Sequence, residues 1–346
     1  MKIAVDAMGG DYAPAEIVKG AVEAAVMDGI QIVLVGEEER IQKELNKYRY
    51  PTELISCLHA PEAIEMNEEP ALAVRRKRNA SLVVATKLVK EKTAAAIVSA
   101  GNTGAQMAAA LFELGRIPGI ERPGIATVFP SPAGPKVLID SGANADCKAR
   151  HFVHFAVLGS IYAQHVLGIE NPRVALLNVG SEPKKGSEVV VEAYQLLEQT
   201  KSVTFSGNLE GRDFFSADVD VIVCDGFIGN IVLKLTEGLV ATLFAMIKAE
   251  FKKSPLQLFG GLLVKPGFKA ILRKLDYAEY GGAPLLGVQG ISVICHGSSR
   301  AKAVRNAIRF AQEAVKQNFV ELVKKGLGGN LRESGEDKGS FNHGSE

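Results

Sequence analysis

The chain has 346 residues, 47% hydrophobic and 23% charged, ordinary globular material for one large α/β domain or two smaller ones. Its 40 basic and 39 acidic residues leave a net charge of +1, which argues against the strongly basic domain of a bulk nucleic-acid binder but permits local basic patches. Cys57, Cys147, Cys224 and Cys295 are widely spaced and form no CxxC, so they read as free thiols in a reducing compartment rather than a disulfide framework.

From the N-terminus, short apolar runs predict strands at Lys2–Asp6, Gln31–Val35, Glu53–Leu58, Ala94–Ser99, Ile125–Phe129, Lys136–Asp140, Arg173–Asn178, Val203–Phe205, Val219–Cys224 and Ile291–Cys295. Helical patterns follow at 14–29, 37–48, 70–91, 103–115, 148–168, 187–199, 228–252 and 299–325. A run such as Val219–Cys224, apolar at nearly every position, marks a strand covered on both faces. The alternation predicts a doubly wound α/β sandwich of three layers, a single domain over 1–325. The opening Met1-Lys-Ile-Ala-Val-Asp6 reaches acid and glycine too soon for a secretory signal. Thr93–Phe112, His151–Ile169 and Tyr280–Ser299 are uncharged over about the length of a membrane span, but internal polar or glycine residues make each a buried strand–turn–helix unit.

Residues 237–280 break the alternation and predict a projecting helical hairpin with an apolar tip at Pro255–Val264, followed by Lys265, Lys269, Arg273 and Lys274. Leu258, Phe259, Leu262 and Leu263 would meet a membrane surface; packing into a core or a dimer interface is equally open. From Gly326 onward glycine, serine and charge predict a disordered tail over 326–346.

Many strands end in a small or polar residue and a turn: Asp6–Asp11, Ser99–Gly104, Asp140–Asn144, Asn178–Glu182, Asp225–Asn230 and His296–Ser299. Ligands of open α/β sheets bind at the carboxyl ends of strands, so these six turns are expected along one sheet edge. Ser99-Ala-Gly-Asn-Thr-Gly104 opens a helix, where backbone N–H groups with Asn102, Thr103 and Gly104 suit an anion; it is neither a Walker A loop nor a GxGxxG fingerprint. Lys184 and Lys185 precede a helix N-terminus, an unfavourable place for cations unless an anion is near, although two solvated loop lysines remain an alternative. Asp225-Gly-Phe-Ile-Gly-Asn230 with Lys234, and His296 with Ser298, form two further corners. His296 is equally open to proton donation, anion binding or a plain turn role. Arg75-Arg76-Lys77-Arg78 is either a solvated helix face or a patch for an acidic partner. His151 and His154, one turn apart, read as structural. No HExxH, zinc-type Cys/His cluster or GxSxG elbow is present, so neither metal nor cofactor is expected.

These turns, with Arg75-Arg-Lys77, Gly142-Ala-Asn144, Leu177-Asn-Val-Gly180, Gly207-Asn208 with Glu210 and Arg212-Asp213, Asp225-Gly-Phe227 with Gly229-Asn230, Tyr280-Gly-Gly-Ala283 and His296-Gly-Ser298, occur in order from residue 3 to about 325. Together they resemble the acyl-[acyl carrier protein]:phosphate acyltransferase family of bacterial phospholipid synthesis; Ser181-Glu182-Pro183 and Asp140-Ser141 depart slightly from its pattern. The resemblance implies a fold akin to isocitrate and isopropylmalate dehydrogenases and phosphotransacetylases. It also implies a cytoplasmic homodimer bound peripherally to the membrane, with a downstream glycerol-3-phosphate acyltransferase as a further partner. Acyl phosphate would form from inorganic phosphate and acyl carrier protein thioester. Lys184, Asp225 and His296 would then be catalytic, and Asn102, Thr103, Gly104, Asn144, Lys185, Asn230, Lys234 and Ser298 would hold substrate. Arg75, Arg76, Lys77 and Arg78 would dock the acidic carrier protein. Rival readings are a nicotinamide-dependent dehydrogenase, a coenzyme A transacetylase and a non-catalytic scaffold.

Overall fold

The computed structural model describes residues 1–275 and 281–331. Its strands are β1 (Lys2–Asp6), β2 (Gln31–Gly36), β3 (Ile55–His59), β4 (Ala96–Ser99), β5 (Gly124–Phe129), β6 (Lys136–Ile139), β7 (Arg173–Asn178), β8 (Thr204–Glu210), β9 (Val221–Val223), β10 (Ala283–Leu286) and β11 (Ile291–Ile294). All join one mixed sheet in the order β3-β2-β1-β4-β11-β10-β5-β6-β9-β7-β8.

β1, β2, β3, β4 and β11 run parallel to one another, as do β6, β7, β8 and β9. Between these groups lie three successive antiparallel pairings: β11 with β10, β10 with β5, and β5 with β6. An odd number of reversals makes the two groups run in opposite directions. The expectation of six turns along one edge is therefore corrected: β1, β4 and β11 end at one edge, β6, β9 and β7 at the other. Sequence reading missed β10, the strand that begins the reversal, because it is four residues long and carries Pro284 among glycines.

Alternation along each strand builds a core on both faces. Ile3, Val5, Ile32, Leu34 and Val98 join the large core with Ile17, Val18 and Ala21 of α1 (Ala15–Asp28) and Val304 and Ile308 of α10 (Ala301–Lys316). Ala4, Val33, Val35 and Ile97 point the other way, onto Leu82, Val83 and Ala85 of α4 (Ser81–Lys90). In the second group, Val137, Ile139, Leu176, Val221 and Val223 meet Phe152 and Phe155 of α6 (Ala149–His165), while Leu138, Ala175 and Ile222 cluster with Phe129 and Phe214. Each such Val, Leu, Ile or Phe stabilises the fold by about 1.5–3 kcal/mol.

Three predicted helical boundaries change. The 70–91 pattern is two helices, α3 (Pro70–Arg76) and α4, because the Lys77 ammonium turns back to the Ala63 carbonyl (2.9 Å) and Glu68 (2.6 Å). The 299–325 pattern divides into α10 and α11 (Phe319–Leu331) at Asn318, whose φ is 53°. The tail expected from Gly326 is corrected accordingly: α11 continues to Leu331 and buries Leu327, and residues 332–346 lie outside the described part.

α8 (Gly226–Glu250) and α9 (Pro255–Leu275) fold back on each other, with Phe268 stacked edge-on to Phe244 (6.3 Å) and Phe251 (5.9 Å). The expected hairpin end, 276–280, lies outside the described residues. The tip itself is the turn 251–254, carrying Lys252, Lys253 and Ser254, so the expected apolar tip is corrected to the first turns of α9. The four expected membrane residues divide between faces: Leu258 and Leu262 line a cleft of about 430 Å³ with Phe244, Ile247 and Phe251, while Phe259 and Leu263 are more exposed at 61% and 67%. By length and composition α8 could cross a membrane. Its first turn, however, is seated inside the α/β body, as described next.

Candidate active site

Two buried aspartates organise the turns. Asp6 accepts hydrogen bonds from Ser99 Oγ (2.7 Å) and the Met8 N–H (3.2 Å), and Ser99 Oγ accepts from the Gly101 N–H (3.0 Å). This knits the ends of β1 and β4. Gly9 permits it, since a Cβ there would lie 2.8 Å from the Gly101 nitrogen. The Asp11 N–H donates to the Gly297 carbonyl (2.8 Å), bringing in the turn after β11. Burial pushes the Asp6 carboxyl above its ordinary value, against the pull of its donors.

Asp140, 0% exposed, does the same at the other edge. Its Oδ1 accepts from the N–H groups of Ile125 (3.0 Å), Gly142 (3.1 Å) and Ala143 (2.9 Å), and its Oδ2 from Asn144 N–H (2.7 Å) and Nδ2 (2.8 Å). On this turn sits the start of α8. The Gly226 N–H donates to the Asn144 carbonyl (2.7 Å), and a Cβ at Gly229 would fall 1.9 Å from the Asp140 carbonyl oxygen. Asp225 caps the helix, Oδ1 accepting from the Ile228 N–H (2.8 Å).

α8 then carries one polar face from the second set of turns to the first. Asn230, Lys234 and Glu237 recur at helical spacing on that face. Asn230 lies beside Gly142. Lys234 Nζ stands 2.9 Å from Glu237 Oε2 and 2.6 Å from Nε2 of His296, beyond β11. Nε2 of His296 thus faces the Lys234 ammonium, while Nδ1 faces both the Ser298 N–H (3.2 Å) and Ser298 Oγ (2.7 Å). Thus turns of the two opposed strand groups meet through α8, with a half-exposed Lys–His pair at the junction.

Other sequence candidates fall elsewhere. Asn102 is 8% exposed and spent on structure: its Oδ1 accepts from the Ala105 N–H (3.0 Å), capping α5 (Thr103–Ala109), and its Nδ2 donates to the Met66 (3.1 Å) and Glu68 (3.2 Å) carbonyls. Gly104 packs against Pro70. Thr103 is half-buried at the helix start. The Asn144 amide is committed to Asp140 and to the Pro123 carbonyl (2.7 Å). Both Asn102 side-chain ends and the Asn144 Nδ2 are thus engaged within the protein, and Asp225 Oδ1 serves as a helix cap. Lys184 and Lys185 are exposed on a loop held by Asn178 Nδ2 to the Lys185 carbonyl (2.8 Å) and Asn208 Nδ2 to the Glu182 carbonyl (2.8 Å). β7 pairs with β9, so this loop shares the edge of Asp225. Arg75, Arg76 and Arg78 are exposed, Arg75 lying over the Phe112 ring at 5.1 Å, whereas Lys77 is turned inward as described above. His151 uses both nitrogens, Nδ1 accepting from the Lys148 N–H (3.1 Å) and Nε2 facing Glu121 (3.3 Å). Burial pushes the Cys147 and Cys295 thiols up to about 12 and raises those of Cys57 and Cys224, leaving little thiolate at neutral pH.

Sequence reasoning missed the organising role of Asp6 and Asp140 and missed Glu237. The signal for Glu237 was its position three residues after Lys234 on a helical pattern.

A sequence model of the fatty acid synthesis protein family matches residues 1–322. The phosphate acyltransferase of Pelotomaculum thermopropionicum is 56% identical over 339 residues, covering 96% of this chain and 98% of that protein. That of Desulforamulus reducens is 52% identical over 327 residues, covering 94% and 97%. Among solved structures, a phosphotransacetylase from Staphylococcus aureus superposes with a TM-score of 0.60 at 18% identity over 90% of this chain and 94% of its own. A 4-hydroxythreonine-4-phosphate dehydrogenase from Klebsiella pneumoniae superposes with a TM-score of 0.51 at 15% identity over 91% and 99%; at such identities the likeness is one of fold.

Proposed function

Since this chain belongs to the phosphate acyltransferase family, we propose that it moves an acyl group from the thioester of acyl carrier protein to inorganic phosphate, yielding acyl phosphate for glycerol 3-phosphate acylation in phospholipid synthesis. The observation that carries this reading is the Lys234–His296 pair where the two sets of glycine-rich turns meet. Phosphate is its own nucleophile, which suits a site whose thiols are held protonated.

A phosphate oxygen attacks the thioester carbon, the carbonyl becomes an oxyanion, and its collapse breaks the C–S bond. For hydrogen phosphate dianion the balance is closed: its proton ends on the departing sulfur, and acyl phosphate leaves as a dianion. Lys234 holds phosphate or the developing oxyanion, and His296, standing beside it, helps to bind the anion. Asn230 and Ser298 border this space. The test is release of carrier-protein thiol from palmitoyl-acyl carrier protein. Release that requires phosphate, with acyl phosphate trapped by hydroxylamine, supports the reading. Release from acyl-coenzyme A alone would replace the donor, and silence with both would end the enzyme reading.

Lys184 reaches phosphate from the adjoining loop. Lys184→Ala therefore raises the phosphate KM or lowers kcat by about 10-fold with folding unchanged; identical kinetics would remove it from the site. Exposed Arg75, Arg76 and Arg78 receive the acidic carrier protein. Reversing Arg75 and Arg76 to Glu weakens carrier-protein binding by about 10-fold at low salt and less at high salt, and no loss would make them a solvated face.

The protein acts in the cytoplasm as a homodimer at the membrane surface, each subunit a doubly wound three-layer sandwich. Leu235, Leu239, Leu243 and Met246 form an exposed stripe on α8 that a second copy would cover. Leu256, Phe259 and Leu263, beside Lys252 and Lys253, suit an anionic bilayer. With Leu239 and Leu243 changed to Glu the protein sediments as a monomer; an unchanged dimer would exclude the stripe. Loss of vesicle flotation in a Phe259→Ser variant tests the membrane contact, and retention would refute it.

A further inference from the structure

We propose that Glu237 is a positioning residue for the transfer, holding the Lys234 ammonium in the orientation that aims its remaining proton at phosphate. The inference rests on the site reading above and deepens it.

Glu237 Oε2 lies 2.9 Å from Lys234 Nζ and 4.0 Å from His296 Nε2, so one carboxylate oxygen faces both members of the pair. A solvated pair three residues apart on a helix has only each other. Here the same ammonium also reaches Nε2 of a residue 62 positions away in sequence, at 2.6 Å. Glu237 is also the most sheltered of the three side chains, 24% exposed against 47% for Lys234 and 37% for His296. A lysine stem has four rotatable bonds, and one contact leaves its head free to swing. Two contacts, one from its own helix and one from the turn after β11, fix it. An ammonium has three protons; Glu237 and His296 take two, and the third is left for an anion.

The carboxylate is otherwise misplaced. A negative charge in a site for phosphate repels the substrate unless a cation neutralises it and its effect is on geometry. Glu237 meets that condition through Lys234.

The test is a cycle of Glu237→Gln, Lys234→Met and the double variant, each with phosphate and carrier-protein kinetics and a melting temperature. Glu237→Gln is nearly isosteric and exposed enough to fold. It is expected to lower kcat about 10- to 100-fold while the carrier-protein KM stays within twofold, and Glu237→Asp to recover part of the loss. In the Lys234→Met background the same change should have little further effect, since Glu237 acts through that lysine. Wild-type kinetics for Glu237→Gln beside an impaired Lys234→Met would overturn this proposal alone. An equal loss in both backgrounds would overturn it too, by showing an effect independent of Lys234. Full activity of Lys234→Met would instead bring down the site reading on which it rests.

Discussion

Lys234→Met lowers kcat for acyl-phosphate formation by about 100- to 1,000-fold, the range seen when a donor aimed at developing charge is removed. Methionine keeps the stem and loses the charge. Lys234 is 47% exposed, and its ion pair lies on one helix, so its removal leaves the melting temperature within a few degrees of wild type. Steady-state thiol release, with a thermal melt as control, reads both. A kcat within twofold of wild type would remove Lys234 from the chemistry, and with it the meaning given to the junction of the two strand groups.

Asp140→Ala is expected to destabilise the protein by about 4 kcal/mol or more, among the largest effects of any single substitution in this chain. Four backbone N–H groups and one side-chain amide converge on this carboxylate, and all lose their acceptor together. The damage spreads because α8 is seated on the same turn: Gly226 bonds the Asn144 carbonyl, and Gly229 leaves no room against Asp140. Asp140→Asn does not rescue, because an amide presents an N–H where an acceptor is needed. Urea unfolding measures the loss. A change below about 1 kcal/mol would mean that the turn is held by its packing alone.

Most strands and helices were legible from period and punctuation, because residues such as Val221, Ile222 and Val223 are buried on both faces of the sheet and read as continuous apolar runs. The reversal of direction was not legible. It depends on β10, where Pro284 and neighbouring glycines have the local character of a loop and only pairing with β5 and β11 makes a strand. Without it, turns of opposed groups looked like neighbours along one edge. They do meet, but through α8. The site residues show the same limit. Lys234 and His296 could each be picked out as polar residues after strands, yet nothing local says that they touch, 62 residues apart. Asn102 and Asn144 have the composition of anion ligands, and only the fold reveals that carbonyls and a buried carboxylate claim their amides. Lys77 likewise stands in a run of four cations that sequence treats alike, and its inward turn is a property of the 63–68 loop.

The central claim is direct transfer to phosphate with no acyl-enzyme on the way. It is tested by mixing excess protein with palmitoyl-acyl carrier protein in phosphate-free buffer, following thiol through time, weighing the intact protein, and then adding phosphate. The account predicts no thiol and no added mass before phosphate, and prompt release of thiol after it. A stoichiometric burst of thiol without phosphate, together with a palmitoyl mass on the protein, would contradict it and place a nucleophilic side chain where the account puts phosphate.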